Sequence, residues 1–236
     1  MINVHKVVAR DLPDLWFQAL YGVLEEGREF KIDRGSYEGQ TRFEYDYFIG
    51  HVTFPGSRPL LPDIPSQYGI PNPVEEAYLY GGEGYTRSYI EYLMTSIKEP
   101  GESYTYGERL TGPGHLQFNQ IEHIINTYKT YGYRNNQMVL QVAQPSDLLL
   151  SDPPCLRSID TRIQDGKLHF FVYFRSWDLW GGFPANLAAI QHLKEYMAEG
   201  IGVEDGEMIV ESKGLHLYDY AVPLAKIRCM RNDGDR

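Results

Sequence analysis

Residues 157–174, RSIDTRIQDGKLHFFVYF, constrain the fold more than any other part of the chain. Two runs rich in β-branched and aromatic residues meet at Asp165-Gly166, the dipeptide favoured by a two-residue type I′ turn. Such a turn fixes the register, so paired residue numbers sum to 331. Carried to its end, that pairing sets Cys155 opposite Ser176, with Arg175 beside it. A thiol, a hydroxyl and a guanidinium are therefore expected at one end of one hairpin.

The flanking sequence supplies helices and further strands. Residues 11–27 place Leu12, Leu15, Trp16, Leu20, Val23 and Leu24 at helical spacing, with Asp11 or Asp14 as the cap. Residues 40–54 read as one strand and 137–143 as another; residues 86–98 and 117–130 read as helices. After the hairpin, Pro184 suits a first helical turn, and Leu187, Ile190, Leu193 and Met197 form an apolar stripe that Gly200 would end. Residues 207–229 read as a final strand region, with His216 and Tyr218 sharing one face. Prolines within 53–73 exclude a central strand or helix interior, so this stretch is expected to be a long ordered loop or flap. The expected architecture is α+β, one domain over residues 1–236 with a mixed, largely antiparallel sheet flanked by helices.

Composition narrows the function. A net charge of −10 disfavours wholesale binding to nucleic acid or an acidic membrane. No run approaches ~18 apolar residues, and the N-terminus lacks the apolar core of a signal peptide. Two cysteines make no disulfide framework, so a cytoplasmic protein is expected. The seven His are scattered without metal-ligand spacing, and no metal is expected. The Gly-rich turn at 81–84 lacks a phosphate-loop lysine.

Candidate chemistry centres on Asp152-Pro153-Pro154-Cys155, where two prolines hold the thiol on a stiff, extended segment. A lone Cys is more often a small buried hydrophobe; a nucleophile needs nearby positive charge, which Arg175 and Arg157 could supply. Arg175-Ser176 offers a fork of donors for a phosphate, or is a surface pair. Asn186 carries both a donor and an acceptor and could read a base edge or cap the helix at Pro184.

Taken together, Pro153-Pro154-Cys155, nineteen further residues, then RSWD, GGFPAN and HLYDY resemble the active-site block of the thymidylate synthase family. The resemblance implies a thymidylate synthase-like fold. It also implies a methyltransferase that moves and reduces a one-carbon unit from 5,10-methylenetetrahydrofolate to C5 of dUMP, giving dTMP. Cys155 would attack C6 of the uracil, and Asn186 would bind its N3 and O4 edge. Arg175 and Ser176 would hold the phosphate, together with Arg34 in the stretch IDRGSYEGQTR. Asp178 and Gly182 would line the base and folate pocket, and His216 and Tyr218 would anchor the 3′-hydroxyl. Tyr106, in YTYGERL, would assist proton removal from C5. The family's homodimers donate arginines to the partner's phosphate, which points to Arg134, although Asn135 and Asn136 stand at the family's own spacing.

The sequence also departs from the family. Leu156 stands where it usually has His, and Phe174 where it usually has Gln. Only 18 residues follow Tyr218, so the C-terminal folate lid is expected to be absent or replaced, with residues 53–73 as a candidate substitute. Glu75, Glu76 and Glu83 compete for the role of the family's proton-network carboxylate. A dUMP or dCMP hydroxymethylase of the same family is the first alternative; those enzymes put Asp at the position of Asn186. A non-catalytic nucleotide- or RNA-binding regulator is the second, disfavoured by the acidic charge and by the presence of Cys155.

Overall fold

The computed structural model describes residues 1–33, 37–112 and 118–231. The N-terminal part comprises β1 (Val4–Ala9), α1 (Leu12–Glu26), β2 (Arg28–Lys31), β3 (Thr41–Glu44) and β4 (Tyr47–Val52). Four helices follow, α2 (Glu76–Tyr80), α3 (Tyr89–Met94), α4 (Tyr106–Thr111) and α5 (Gln120–Tyr131). The C-terminal part holds β5 (Val139–Gln141), β6 (Leu156–Gln164), β7 (Lys167–Phe174), β8 (Trp177–Asp178), α6 (Gly182–Ile201), β9 (Glu204–Ser212), β10 (Leu215–Tyr218) and α7 (Val222–Arg228).

The strands form two mixed sheets rather than one: β1-β4-β9-β7-β6-β5, and a smaller β2-β3-β10-β8. The pairs β1–β4, β7–β9 and β8–β10 are parallel and the others antiparallel, so the expected largely antiparallel α+β fold is what forms. The expected single strand over residues 40–54 breaks at Tyr45-Asp46 into β3 and β4, which lie in different sheets. Tyr45 is the pivot. Its hydroxyl donates to Ala19 O at 2.8 Å, while Asp46 pairs with Arg28 at 2.8 Å. Alternation continues through both residues, so the sequence pattern does not reveal the break.

α1 begins as its sequence requires, with the Asp11 side chain accepting from Asp14 N at 3.0 Å and a proline in the first turn. It packs with α6 against the large sheet, burying Leu15, Trp16, Leu20, Leu187, Leu193 and Met197 almost fully. Each such side chain contributes roughly 1.5–3 kcal/mol by leaving water. α6 runs past Gly200 and ends at Gly202, whose φ of 89° is the left-handed geometry a C-terminal glycine supplies. The expected helix over 86–98 is only α3, begun by a capping box between Ser88 and Glu91. The expected terminal strand region stops at Tyr218; Pro223 sits in the first turn of α7, where a strand cannot use it.

Residues 53–73 form an ordered loop. Leu60, Leu61 and Ile64 are buried, and Arg58 forks onto Glu195 of α6 with two bonds of 2.9 Å. No helix among the described residues is long and apolar enough to cross a membrane.

Candidate active site

The β6–β7 hairpin has the expected turn, with Asp165 and Gly166 at φ of 52° and 74°. The register sums to 331 from Gln164↔Lys167 back to Ser158↔Tyr173. There a β-bulge intervenes, and Leu156 pairs with Phe174 instead. The slip brings Cys155 opposite Arg175 rather than Ser176, with Arg175 N donating to Cys155 O at 2.9 Å. Turn chemistry cannot predict such an extra residue.

The guanidinium of Arg175 folds back over the segment that carries the thiol. Its Nε donates to Pro154 O at 3.2 Å, and its Nη2 to Pro153 O at 2.6 Å and to Asp152 at 3.3 Å. Arg157 also reaches Pro154 O, at 3.3 Å. Both arginines therefore brace the diproline turn. Burial pushes the Cys155 thiol above its usual range; Arg175 and Arg157 pull it down without overcoming that. Ser176 is half-buried next to Arg175.

Tyr106 opens α4, and its hydroxyl accepts from Leu156 N at 3.3 Å, which places it beside the thiol. Burial, and then the neighbouring thiol, raise its pKa well above the usual value, so it stays a proton donor. Leu156 is fully buried, in line with its apolar character.

The short β8 pairs with β10, setting Asp178 beside His216 and Trp177 beside Leu215. Asp178 accepts backbone N–H groups from Trp180, Gly181 and Gly182 at 3.0–3.2 Å. It thereby shapes the turn into α6, and Gly182 is engaged through its backbone. Burial raises the Asp178 pKa against those three donors. One turn on, Asn186 Oδ1 accepts from Trp177 Nε1 at 2.7 Å, and Nδ2 donates to Tyr89 Oη at 2.5 Å. A cavity of about 370 Å³ opens here, lined by Glu75, Tyr78, Tyr85, Asp178, Gly182 and Asn186 among others. Of the three competing glutamates only Glu75 lines it; Glu83 is exposed and Glu76 lines a neighbouring cavity with Arg58 and Tyr80.

His216 and Tyr218 lie on one face of β10, their rings 4.6 Å apart. His216 Nδ1–H donates to Gly214 O at 2.8 Å, so Nε2 is a bare acceptor. That atom is buried and has no partner among the described residues. Burial lowers the His216 pKa to about 4, keeping the ring neutral. The Tyr218 ring packs against that of Tyr37, tilted by 36° with centroids 4.5 Å apart.

Of the sequence-derived candidates, the fold gathers Cys155, Tyr106, Arg175, Ser176, Asp178, Gly182, Asn186, His216 and Tyr218 where β6, β7, β8 and β10 meet α4 and α6. Arg34 lies outside the described residues. Arg134 is exposed in the connection after α5. Sequence reasoning missed Tyr89, Arg42 and Glu44. The Ser88-x-x-Glu91 capping box could have placed Tyr89 at a helix start. Arg42 and Glu44, ion-paired at 2.6 Å, reach Tyr218 and His216 only through the β3–β10 pairing, which nothing local encodes. Among the described residues no cluster of three or more His, Cys, Asp or Glu could hold a metal.

Comparison with known proteins places the chain in a family. The family model described as thymidylate synthase matches residues 86–235. A protein of Methanosarcina barkeri named "Putative thymidylate synthase" is 28% identical over 214 residues, covering 91% of this chain and 89% of that one. Proteins of the same name from Methanothermobacter thermautotrophicus and Methanopyrus kandleri are each 25% identical. They cover 91% and 92% of this chain, and 94% of their own length in both cases. The chain belongs to the thymidylate synthase family.

Proposed function

We propose that the protein is a folate-dependent thymidylate synthase that converts dUMP to dTMP in the cytoplasm. The observation that carries this reading is the position of Asn186. Its carboxamide, with a donor and an acceptor still free, borders the cavity that Asp178 and Glu75 also line, while Trp177 links it back to the hairpin that carries Cys155.

In this reading Cys155 Sγ adds to C6 of the uracil, and the electron pair moves through C5 towards O4. Asn186 Nδ2 donates to O4, and its Oδ1 accepts from N3–H. Tyr89 accepts from Nδ2, so its own proton is left to donate; burial keeps it on the phenol. Tyr106 likewise accepts from a fixed backbone N–H and keeps its own proton, so it assists the loss of the C5 proton as a hydrogen-bond donor rather than as the base. His216 Nε2, an acceptor only, accepts a hydrogen bond from the sugar 3′-hydroxyl, with Tyr218 beside it. Arg175 and Ser176 border the phosphate, joined by Arg34 and by Arg134 of a homodimer partner.

The second substrate, 5,10-methylenetetrahydrofolate, supplies the one-carbon unit and the hydride that completes the methyl group. The cavity beside Asn186 suits a planar pterin ring, having Tyr78 and Tyr85 as an aromatic wall and Glu75 and Asp178 as acceptors. Asn72 and Pro73, at the end of the 53–73 loop, form its rim. Tritium release from [5-³H]dUMP in the presence of methylenetetrahydrofolate tests the reading. Release that vanishes in Cys155→Ala is expected; no release from the native protein overturns it. Dihydrofolate formed in step with release distinguishes methylation from hydroxymethylation, which yields none.

A further inference from the structure

The Asn186 amide is held by a closely packed neighbour. Trp177 is almost fully buried; its ring stacks on Phe174 at 3.7 Å and 10°, and meets Phe183 edge-on at 4.5 Å. Between those two rings the indole has no room to turn. Its Nε1–H, a donor only, points at Asn186 at 2.7 Å. The Asn186 atom facing it must be the oxygen, because an amide NH₂ turned that way would set donor against donor. On the other side Tyr89, stacked between Tyr78 and Tyr92 at 5.5 and 5.4 Å, accepts from Nδ2. A hydroxyl can donate or accept, so Tyr89 tolerates either orientation of the amide. Trp177 does not.

This matters because the two pyrimidines present opposite edges. Uracil offers N3–H as donor and O4 as acceptor. Cytosine offers N3 as acceptor and its 4-amino group as donor. A carboxamide free to rotate by half a turn reads both; one locked in place reads one.

We propose that Trp177 is a specificity-positioning residue, whose indole N–H locks the Asn186 carboxamide so that the site accepts a 4-oxo and rejects a 4-amino pyrimidine nucleotide. The inference rests on the reading that Asn186 meets the base. It assigns base choice to the side chain between Ser176 and Asp178, acting through Asn186.

Calorimetric binding of dUMP and dCMP to the native protein, Trp177→Phe, Asn186→Ala and the double variant tests it without requiring turnover. Phenylalanine keeps one aromatic ring for the stack and removes the donor together with the rest of the indole. The native protein is expected to favour dUMP, and Trp177→Phe to lower the dUMP/dCMP ratio by roughly 10- to 100-fold. In the Asn186→Ala background the same substitution is expected to leave the ratio unchanged. A fall in both affinities with the ratio preserved would mean a structural role and overturns the inference, while the reading of Asn186 stands. Native protein that binds neither nucleotide overturns both. Should Trp177→Phe not fold, hydrogen exchange of the indole N–H in native protein serves instead. Strong protection that deepens with dUMP but not with dCMP is expected; exchange at the rate of a free indole overturns the lock.

Discussion

Arg175 N donates to the carbonyl of Cys155 at 2.9 Å because a β-bulge between Leu156 and Ser158 shifts the hairpin by one residue. The shift turns the Arg175 guanidinium onto Pro153 and Pro154, so the arginine braces the turn that carries the thiol as well as lending it charge. Without the bulge Ser176 would stand there and the charge would sit further along the chain.

The thiol should titrate late in the free protein. Burial raises the Cys155 pKa and the arginines oppose it incompletely, so alkylation by iodoacetamide should inflect above the ~8.5 of a free cysteine. Arg175→Gln should move the inflection higher and slow alkylation at pH 7.5 by about 3- to 10-fold. Peptide mass spectrometry reads Cys155 separately from Cys229, which burial pushes to about 11. An inflection at or below the free-thiol value contradicts the expectation.

His216 should make the fold acid-sensitive. Its folded pKa of about 4 lies below the ordinary 6.5, so between these values the unfolded chain binds the proton more readily. Stability should therefore rise with pH across that window and level off above it. The ring is almost fully buried, and the effect is on the order of 3 kcal/mol. Urea unfolding from pH 4.5 to 7 should show the slope in the native protein and a much flatter profile in His216→Asn.

Gly107 should tolerate no side chain. A Cβ there would stand 1.9 Å from Thr95 O and 2.8 Å from Tyr92 O, both backbone atoms that cannot swing aside. Gly107→Ala should cost about 3 kcal/mol in urea unfolding. The strain would also displace Tyr106, the preceding residue, so tritium release should fall further than the loss of folded protein explains.

Asn186→Asp should move base preference from dUMP towards dCMP. The new carboxylate can still accept from Trp177 and can accept a hydrogen bond from the Tyr89 hydroxyl, so the fold should survive. It has no N–H for O4 but can accept from a 4-amino group. Competition binding of the two nucleotides measures the change; an unchanged preference would show that Asn186 does not meet that edge.

Much of the site was legible because its residues sit at element boundaries with local signatures. Asp165-Gly166 sets the hairpin, Pro153-Pro154 stiffens the approach to Cys155, and the alternation of Leu215, His216, Leu217 and Tyr218 marks one strand face. These depend on backbone chemistry within a few residues. The break at Tyr45-Asp46 was not legible, because what ends the strand is contact with Ala19 and Arg28, far away in sequence.

The order of cysteine, arginine, amide and histidine along the chain was set by the sequence alone, and with it the family. Only the tertiary structure decided how those groups are held. The bulge chose Arg175 over Ser176 as the partner of Cys155, β8 carried Trp177 to Asn186, and the start of α3 brought Tyr89 to its other side. Donor and acceptor directions are properties of contacts between distant segments. A one-dimensional pattern can place such residues in order without saying which way each amide, indole or imidazole must point.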